Sequence, residues 1–100
     1  MVKHIIVWKL LEEHNNDKIK NGIKQSLEAL LGNIEGLLEI KVETEGLKSS
    51  NSDVMLYSVF ESEEALKKYA THPKHVYAAD NFVRPYVKER SCFDFLTVDR

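Results

Sequence analysis

Three stretches of this chain carry apolar residues on both of their alternating faces, and that doubled apolarity limits the fold more than any other feature. The first sets Ile5 and Val7 against His4, Ile6 and Trp8. Another sets Met55 and Val59 against Val54, Leu56 and Phe60, and the last sets Phe93 and Phe95 against Leu96 and Val98. A strand turns successive side chains to opposite sides of its sheet, so an antiparallel sheet with one wet side alternates apolar with polar. These strands do not alternate that way, and their sheet needs a cover on each side. Helices supply one. The other is expected from a second copy of the same sheet, which removes apolar area from water at about 25 cal/mol per Å².

Helical periodicity accounts for the first cover. After Val2–Leu10, dense in β-branched and aromatic residues, the polar run Glu12–Asp17 offers Asn or Asp as a helix N-cap. Ile19, Ile23, Leu27, Leu30, Leu31 and Ile34 then recur at helical spacing. Gly32 is suited to cap that helix, and Gly36 to turn the chain into a second strand, Leu37–Thr44, with Leu38, Ile40 and Val42 on one face and Glu39, Lys41 and Glu43 on the other. Gly46–Asp53 has the composition of a loop, and Val54–Phe60 that of a third strand. Ser62, with Glu63 and Glu64 behind it, opens a second helix whose buried side is Leu66, Tyr69 and Ala70.

His72-Pro73 interrupts this helix, because proline disfavours helical geometry in the residue before it, and Pro73 restarts a helix at its first position. Val76, Ala79, Phe82, Val83 and Tyr86 make the apolar stripe of the restarted stretch, Arg84-Pro85 marks another break, and the last strand is expected over Glu89–Val98. The order strand, helix, strand, strand, helix, strand predicts an α+β subunit of ferredoxin-like βαββαβ type. Its antiparallel sheet carries helices on one face, and a homodimer packed sheet to sheet is expected. No linker or repeat interrupts the pattern, so residues 1–100 read as a single domain.

Charge and cysteine content exclude several roles. A formal charge of −2, with lysines and arginines scattered among carboxylates, offers no field to draw nucleic acid or an anionic membrane. Cys92 is the only cysteine, so no internal disulfide is possible. The longest apolar run, Ile5 to Trp8, is too short to span a bilayer or to form a signal-peptide core, and a cytoplasmic location is expected. The glycines are spread through caps and turns, with no phosphate-cradling loop, so no nucleotide or other cofactor is expected.

Several segments together resemble the stress-responsive dimeric α/β-barrel (Dabb) family. They are the opening Val2–Leu10, the turn Ile34-Glu35-Gly36-Leu37, Phe60–Leu66, Tyr69 with His72-Pro73-Lys74-His75-Val76, and the closing Phe93-Asp94-Phe95. The resemblance covers nearly the whole chain and implies a ferredoxin-like subunit whose sheets close a barrel in a dimer. Most members have no assigned activity. One is a plant polyketide cyclase, and similarity to it carries over at His4, Tyr69 and His75, with His75 resembling its general base. Two positions depart from the family pattern: Val54 stands where the cyclase has a further pocket histidine, and Glu35 where a proline is common.

The candidate site gathers titratable groups on an apolar interior. His75, in the first turn after Pro73, is expected either to be kept as neutral imidazole by helix dipole and apolar surround, as proton abstraction beside a carbonyl requires, or to cap or pack against the helix turn. Tyr69 is expected to orient a substrate oxygen, and His4, on the face of Ile6 and Trp8, to be an auxiliary polar contact or a core histidine satisfied by a backbone carbonyl or Asp94. Trp8, Val54, Leu56 and His72 are expected around the ligand, with His72 also suited to capping a helix. His14 needs no special role, and Cys92 reads as a small buried hydrophobe. His72, His75 and His4 could offer imidazole nitrogens to a metal; with no carboxylate or cysteine cluster to complete the set, no metal centre is expected. The expected function is a homodimer with a small apolar ligand pocket, the alternative an acid–base enzyme, cyclase-like or a lyase or isomerase, acting on a carbonyl-containing small molecule.

Overall fold

The computed structural model describes residues 1–98, and the last two positions of the expected domain lie outside the described residues. The elements are β1 (Val2–Leu10), α1 (Asp17–Glu28), β2 (Leu37–Glu43), β3 (Val54–Phe60), α2 (Glu63–Thr71), α3 (Pro73–Ala78) and β4 (Val87–Leu96). The strands form one antiparallel sheet in the order β2-β3-β1-β4, the split βαβ arrangement of a ferredoxin-like fold. The first strand in sequence is therefore central, with β3 on one side and β4 on the other. No helix of the described residues is long and apolar enough to cross a membrane.

Local chemistry starts each helix where the sequence indicates. Asn16 caps α1 by accepting the Ile19 N–H at 3.0 Å, and Ser62 caps α2 by accepting the Ala65 N–H at 3.1 Å. His72 ends α2 in extended conformation and caps α3, its Nδ1 accepting the Lys74 N–H at 3.1 Å. Such caps satisfy N–H groups that the first helical turn leaves without partners. The inner sheet face, with Ile6, Trp8, Leu56 and Phe60, packs against Ile23 and Leu27 of α1 and Tyr69 of α2, all buried.

Four expectations need correction. The first helix stops at Glu28 rather than running on to Ile34, because the backbone tightens into successive turns (Leu30 N–H to Leu27 O, Asn33 N–H to Leu30 O). Leu30 and Ile34 stay buried through these turns, and Gly32 takes a positive φ of 85°. Strand β2 begins with a bulge between Leu37 and Glu39, so that Leu37 reaches the core opposite Phe60 while Leu38, the extra residue, is only half-buried. The stretch after α3 widens into a π-type turn over Ala79–Val83, which buries Ala79 and Val83 and leaves Phe82 39% exposed beside Gly22 of α1. Finally, β4 runs Val87–Leu96, not Glu89–Val98: a register shift lets Val87 pair with Leu10, and the ladder ends where Leu96 meets Val2 at the start of β1.

Lys24 and Glu28 of α1 close off the free edge of β2. The Glu28 carboxylate accepts the Val42 N–H at 2.9 Å and the Lys24 ammonium at 2.8 Å, while Lys24 also donates to the Val42 carbonyl at 2.8 Å. Burial pushes the Glu28 carboxyl up, but the Lys24 ammonium and the Val42 N–H outweigh it and hold the group below the usual carboxylate range. Satisfied edge groups do not recruit a stray strand, and this edge is blunted at Val42.

The outer face has no such cover within the subunit. Ile5, Val7, Met55 and Tyr57 lie there half-buried, and Phe93 and Phe95 are 69% and 39% exposed. The turn into β2 is the most demanding piece of backbone. Gly36 has φ of 86°, and a methyl group placed on it would come within 2.6 Å of the Ala65 side chain on α2. We expect Gly36→Ala to cost about 1–3 kcal/mol from the left-handed backbone and the clash together, read as a lowered midpoint in urea denaturation. An unchanged midpoint would show that the turn does not constrain the approach of α2.

Candidate functional site

A cavity of about 290 Å³ lies between the inner sheet face and the broken helical layer, with His4, Tyr69 and His75 all on its wall. Trp8 and Leu56 line it too. Val54 does not, because at the start of β3 it borders a separate groove near Gly46 and Asp53. His72 does not either: committed to capping α3, it lies beside Gly36 and Glu61 on the other side of α2. A wider groove of about 680 Å³ between α1 and α3 is lined by residues such as Gln25, Asn33 and Lys74, and no histidine reaches it.

The break at Pro73 turns Tyr69 and His75 toward each other, ring centroids 4.2 Å apart and planes tilted by 36°. His75 Nδ1 lies 3.2 Å from the Ala70 carbonyl. A carbonyl oxygen only accepts, so Nδ1 carries the proton and Nε2 keeps its lone pair. Burial, opposed by the Ala70 hydrogen bond but joined by the charges of Arg84, His4 and Arg90, holds the imidazolium form of His75 below its ordinary range. Tyr69 is 2% exposed, and its hydroxyl has no hydrogen-bond partner among the described residues. Burial pushes that phenol well above its ordinary range, so it stays protonated and available to donate.

His4 is buried on β1 and bonds through Nδ1 to the Asp94 carboxylate, its cross-strand partner on β4. An ionised carboxylate only accepts, so this bond fixes the ring with Nδ1–H toward Asp94. His4 and Tyr69 meet edge to face at 6.4 Å. Of the two partners open for His4 in the sequence, the carboxylate is the one realised.

Cys92 is a correction. It is exposed, not buried, since β4 is an edge strand that the helices leave open. Its Sγ lies 3.4 Å from Asp94 Oδ1 and 3.8 Å from His4 Nδ1. Partial desolvation of the sulfur against β1 and then the Asp94 carboxylate raise the thiol above its ordinary range, which keeps it protonated and a poor nucleophile. Of the three histidines considered as metal ligands in the sequence, only His4 has such company: His4, Cys92 and Asp94 bring three metal-capable donor atoms within 4.8 Å of one another. His72 and His75 are not part of that group.

Sequence reasoning missed Arg84 and Arg90, both on the cavity wall. Arg84 precedes a proline in a turn, and Arg90 lies in the exposed stretch Lys88–Ser91, contexts that suit a solvated surface. The signal available was alternation: Arg90, Cys92 and Asp94 share a strand face, and Arg90 stands opposite Trp8.

The fold and the enclosed site define a ferredoxin-like α+β protein with a cavity under its helices. The chain belongs to the Stress responsive A/B Barrel Domain (Dabb) family, whose profile matches residues 2–97. Among solved structures it is similar to a dimeric protein of unknown function with a ferredoxin-like fold from Bacteroides fragilis, at 32% identity and a TM-score of 0.85, covering 94% of this chain and 93% of that one. A Dabb family protein from Mesorhizobium loti shares the fold at 16% identity and a TM-score of 0.78, with 98% and 97% covered. A hydroxynitrile lyase from Passiflora edulis does so at 16% identity and a TM-score of 0.78, with 99% and 94% covered. No curated protein matches the chain significantly.

The depressed His75 gives a measurable signature. Its NMR titration midpoint is expected below the 6.5 of free imidazole. Between those two values the unfolded chain binds more protons than the folded one, so stability falls as pH is lowered through that window. A midpoint at the free value would mean that the ring is solvated, not walled in.

Proposed function

We propose that this chain is a homodimeric small-molecule-binding protein of the cytoplasm, with its ligand in the cavity between His4, Tyr69 and His75. The Tyr69 hydroxyl carries the reading. It is buried without a partner at the wall of a cavity, and an unmade buried hydrogen bond costs about 1–3 kcal/mol. A ligand with an apolar body and one oxygen answers both features: Trp8 and Leu56 take the body, and the phenol donates to the oxygen.

The dimer rests on the outer face of the sheet. Phe93 and Phe95 stand exposed there beside Ile5, Val7 and Met55, a patch of the sort that marks an interface. The Bacteroides fragilis relative is described as dimeric, as is a ferredoxin-like protein from Thermobifida fusca at 20% identity. Two sheets packed face to face as a barrel bury this patch on both copies.

A second reading, acid–base catalysis on a carbonyl-containing small molecule, is favoured by the state of His75. Its Nδ1–H is anchored to Ala70, its Nε2 retains a lone pair, and burial keeps it neutral. Here His75 is the general base, Tyr69 the orienting donor, and His4, held by Asp94, an auxiliary polar contact. A polyketide-type cyclisation or a lyase or isomerase step suits that set, and the Passiflora edulis hydroxynitrile lyase has the same fold. A His75 midpoint equal to that of free imidazole removes this reading and leaves the first.

Two measurements test the primary reading. Calorimetry with acetophenone, a small ketone, is expected to give binding that Tyr69→Phe weakens by about three- to tenfold, the worth of one hydrogen bond; equal affinity in both proteins would count against it. Light scattering is expected to return twice the chain mass, and Phe93→Asp to shift it toward the monomer. A monomeric parent protein would end the dimer and the barrel together.

A further inference from the structure

The residues around the cavity include two arginines, Arg84 and Arg90, and no carboxylate side chain. The two cations are not equivalent. Arg84 is already paired with Asp80, one helical turn earlier. Asp94, the acidic group beside His4, is committed to that ring. Arg90 has no ion-pair partner among the described residues; its side chain reaches the Cys92 thiol, which is neutral. One guanidinium fork thus stands opposite Trp8, at the exposed border of an apolar cavity, without a carboxylate partner among the described residues.

We propose that the ligand of this cavity is a small carboxylate whose acid group is held by Arg90, assisted by Arg84, while its apolar body lies against Trp8 and Leu56. The proposal rests on the small-molecule reading above and narrows it to anions. A planar guanidinium matches a carboxylate through two parallel N–H···O bonds, a geometry that an ammonium group does not offer. A phosphate monoester carries nearly twice the charge and fits less well, because only one of the two arginines is free of a carboxylate. The charges of Arg84 and Arg90 also reach His75 and weigh against its protonation, so an anion seated between them relieves that effect and raises the His75 titration midpoint.

The test compares matched ligands on the full chain by calorimetry and histidine NMR: benzoate against benzamide, and hexanoate against hexanamide. Each carboxylate is expected to bind about tenfold more tightly than its amide, the worth of one charge-assisted hydrogen bond, and added salt to narrow the difference. Binding of benzoate, but not of benzamide, is expected to raise the His75 midpoint. Arg90→Gln is expected to bring benzoate down to the level of benzamide, with circular dichroism to verify the fold. Amides binding as tightly as carboxylates would overturn the anion assignment and leave the small-molecule reading intact. Inorganic phosphate displacing benzoate at equal concentration would overturn the choice of carboxylate. A preference that persists in the Arg84→Gln/Arg90→Gln double variant would show that another group selects the acid and would also overturn the proposal. Failure of all four compounds to bind would remove the cavity reading itself, and the anion with it.

Discussion

The arrangement of this site depends on one backbone restriction, the refusal of His72-Pro73 to continue a helix. Tyr69 and His75 are six positions apart in the chain. On an unbroken helix that spacing would set them about 120° apart around the axis, facing different neighbours. With the break, Tyr69 closes one helix and His75 opens the next, and their rings come to 4.2 Å. The same break explains the cavity. Two short helices meeting at an angle cover the sheet less completely than one long helix, and the space left over is walled by both their ends and by β1.

The central place of β1 does the complementary task from below. Hydrogen bonding to β3 on one side and β4 on the other fixes its register, so His4 has no freedom to slip to the outer face. That register also brings Asp94 directly opposite His4 and Arg90 opposite Trp8. A buried imidazole without a partner would cost stability; here the cross-strand carboxylate satisfies it and orients the ring in one step. The polar groups of the cavity therefore divide into two kinds. The Nδ1 edges of His4 and His75 are spent on the protein, whereas His75 Nε2, the Tyr69 hydroxyl and the Arg90 guanidinium keep bonding capacity for a ligand.

The two sheet faces carry different parts of the protein's work. The inner face holds the core and the site, and its edge at β2 is blunted where Glu28 and Lys24 occupy the Val42 backbone groups. The outer face is apolar and open, which a chain of 100 residues with a modest core can ill sustain alone. Face-to-face pairing answers that need without disturbing the inner face, so the proposed assembly and the proposed ligand site use opposite sides of the same four strands.

Much of this was legible in the residue order, because strand alternation, helix caps and proline breaks are local effects that act over a few neighbouring residues. Those rules located every strand to within two residues, an Asn or Asp cap for the first helix, the cap at Ser62 and the helix restart at Pro73, and they singled out His4, Tyr69 and His75, which line one cavity. They failed where tertiary contacts choose between local options: the early end of α1 at Glu28, the bulge at Leu37, and the π-type turn after Ala78. Each of these re-aims apolar side chains that periodicity alone would have left misplaced. Only the assembled sheet could decide that Asp94 rather than a carbonyl holds His4, that Val54 and His72 stay outside the cavity, and that Arg84 and Arg90 belong to it. Those outcomes depend on register and edge position between segments up to ninety residues apart, and no local pattern encodes the distance between such segments.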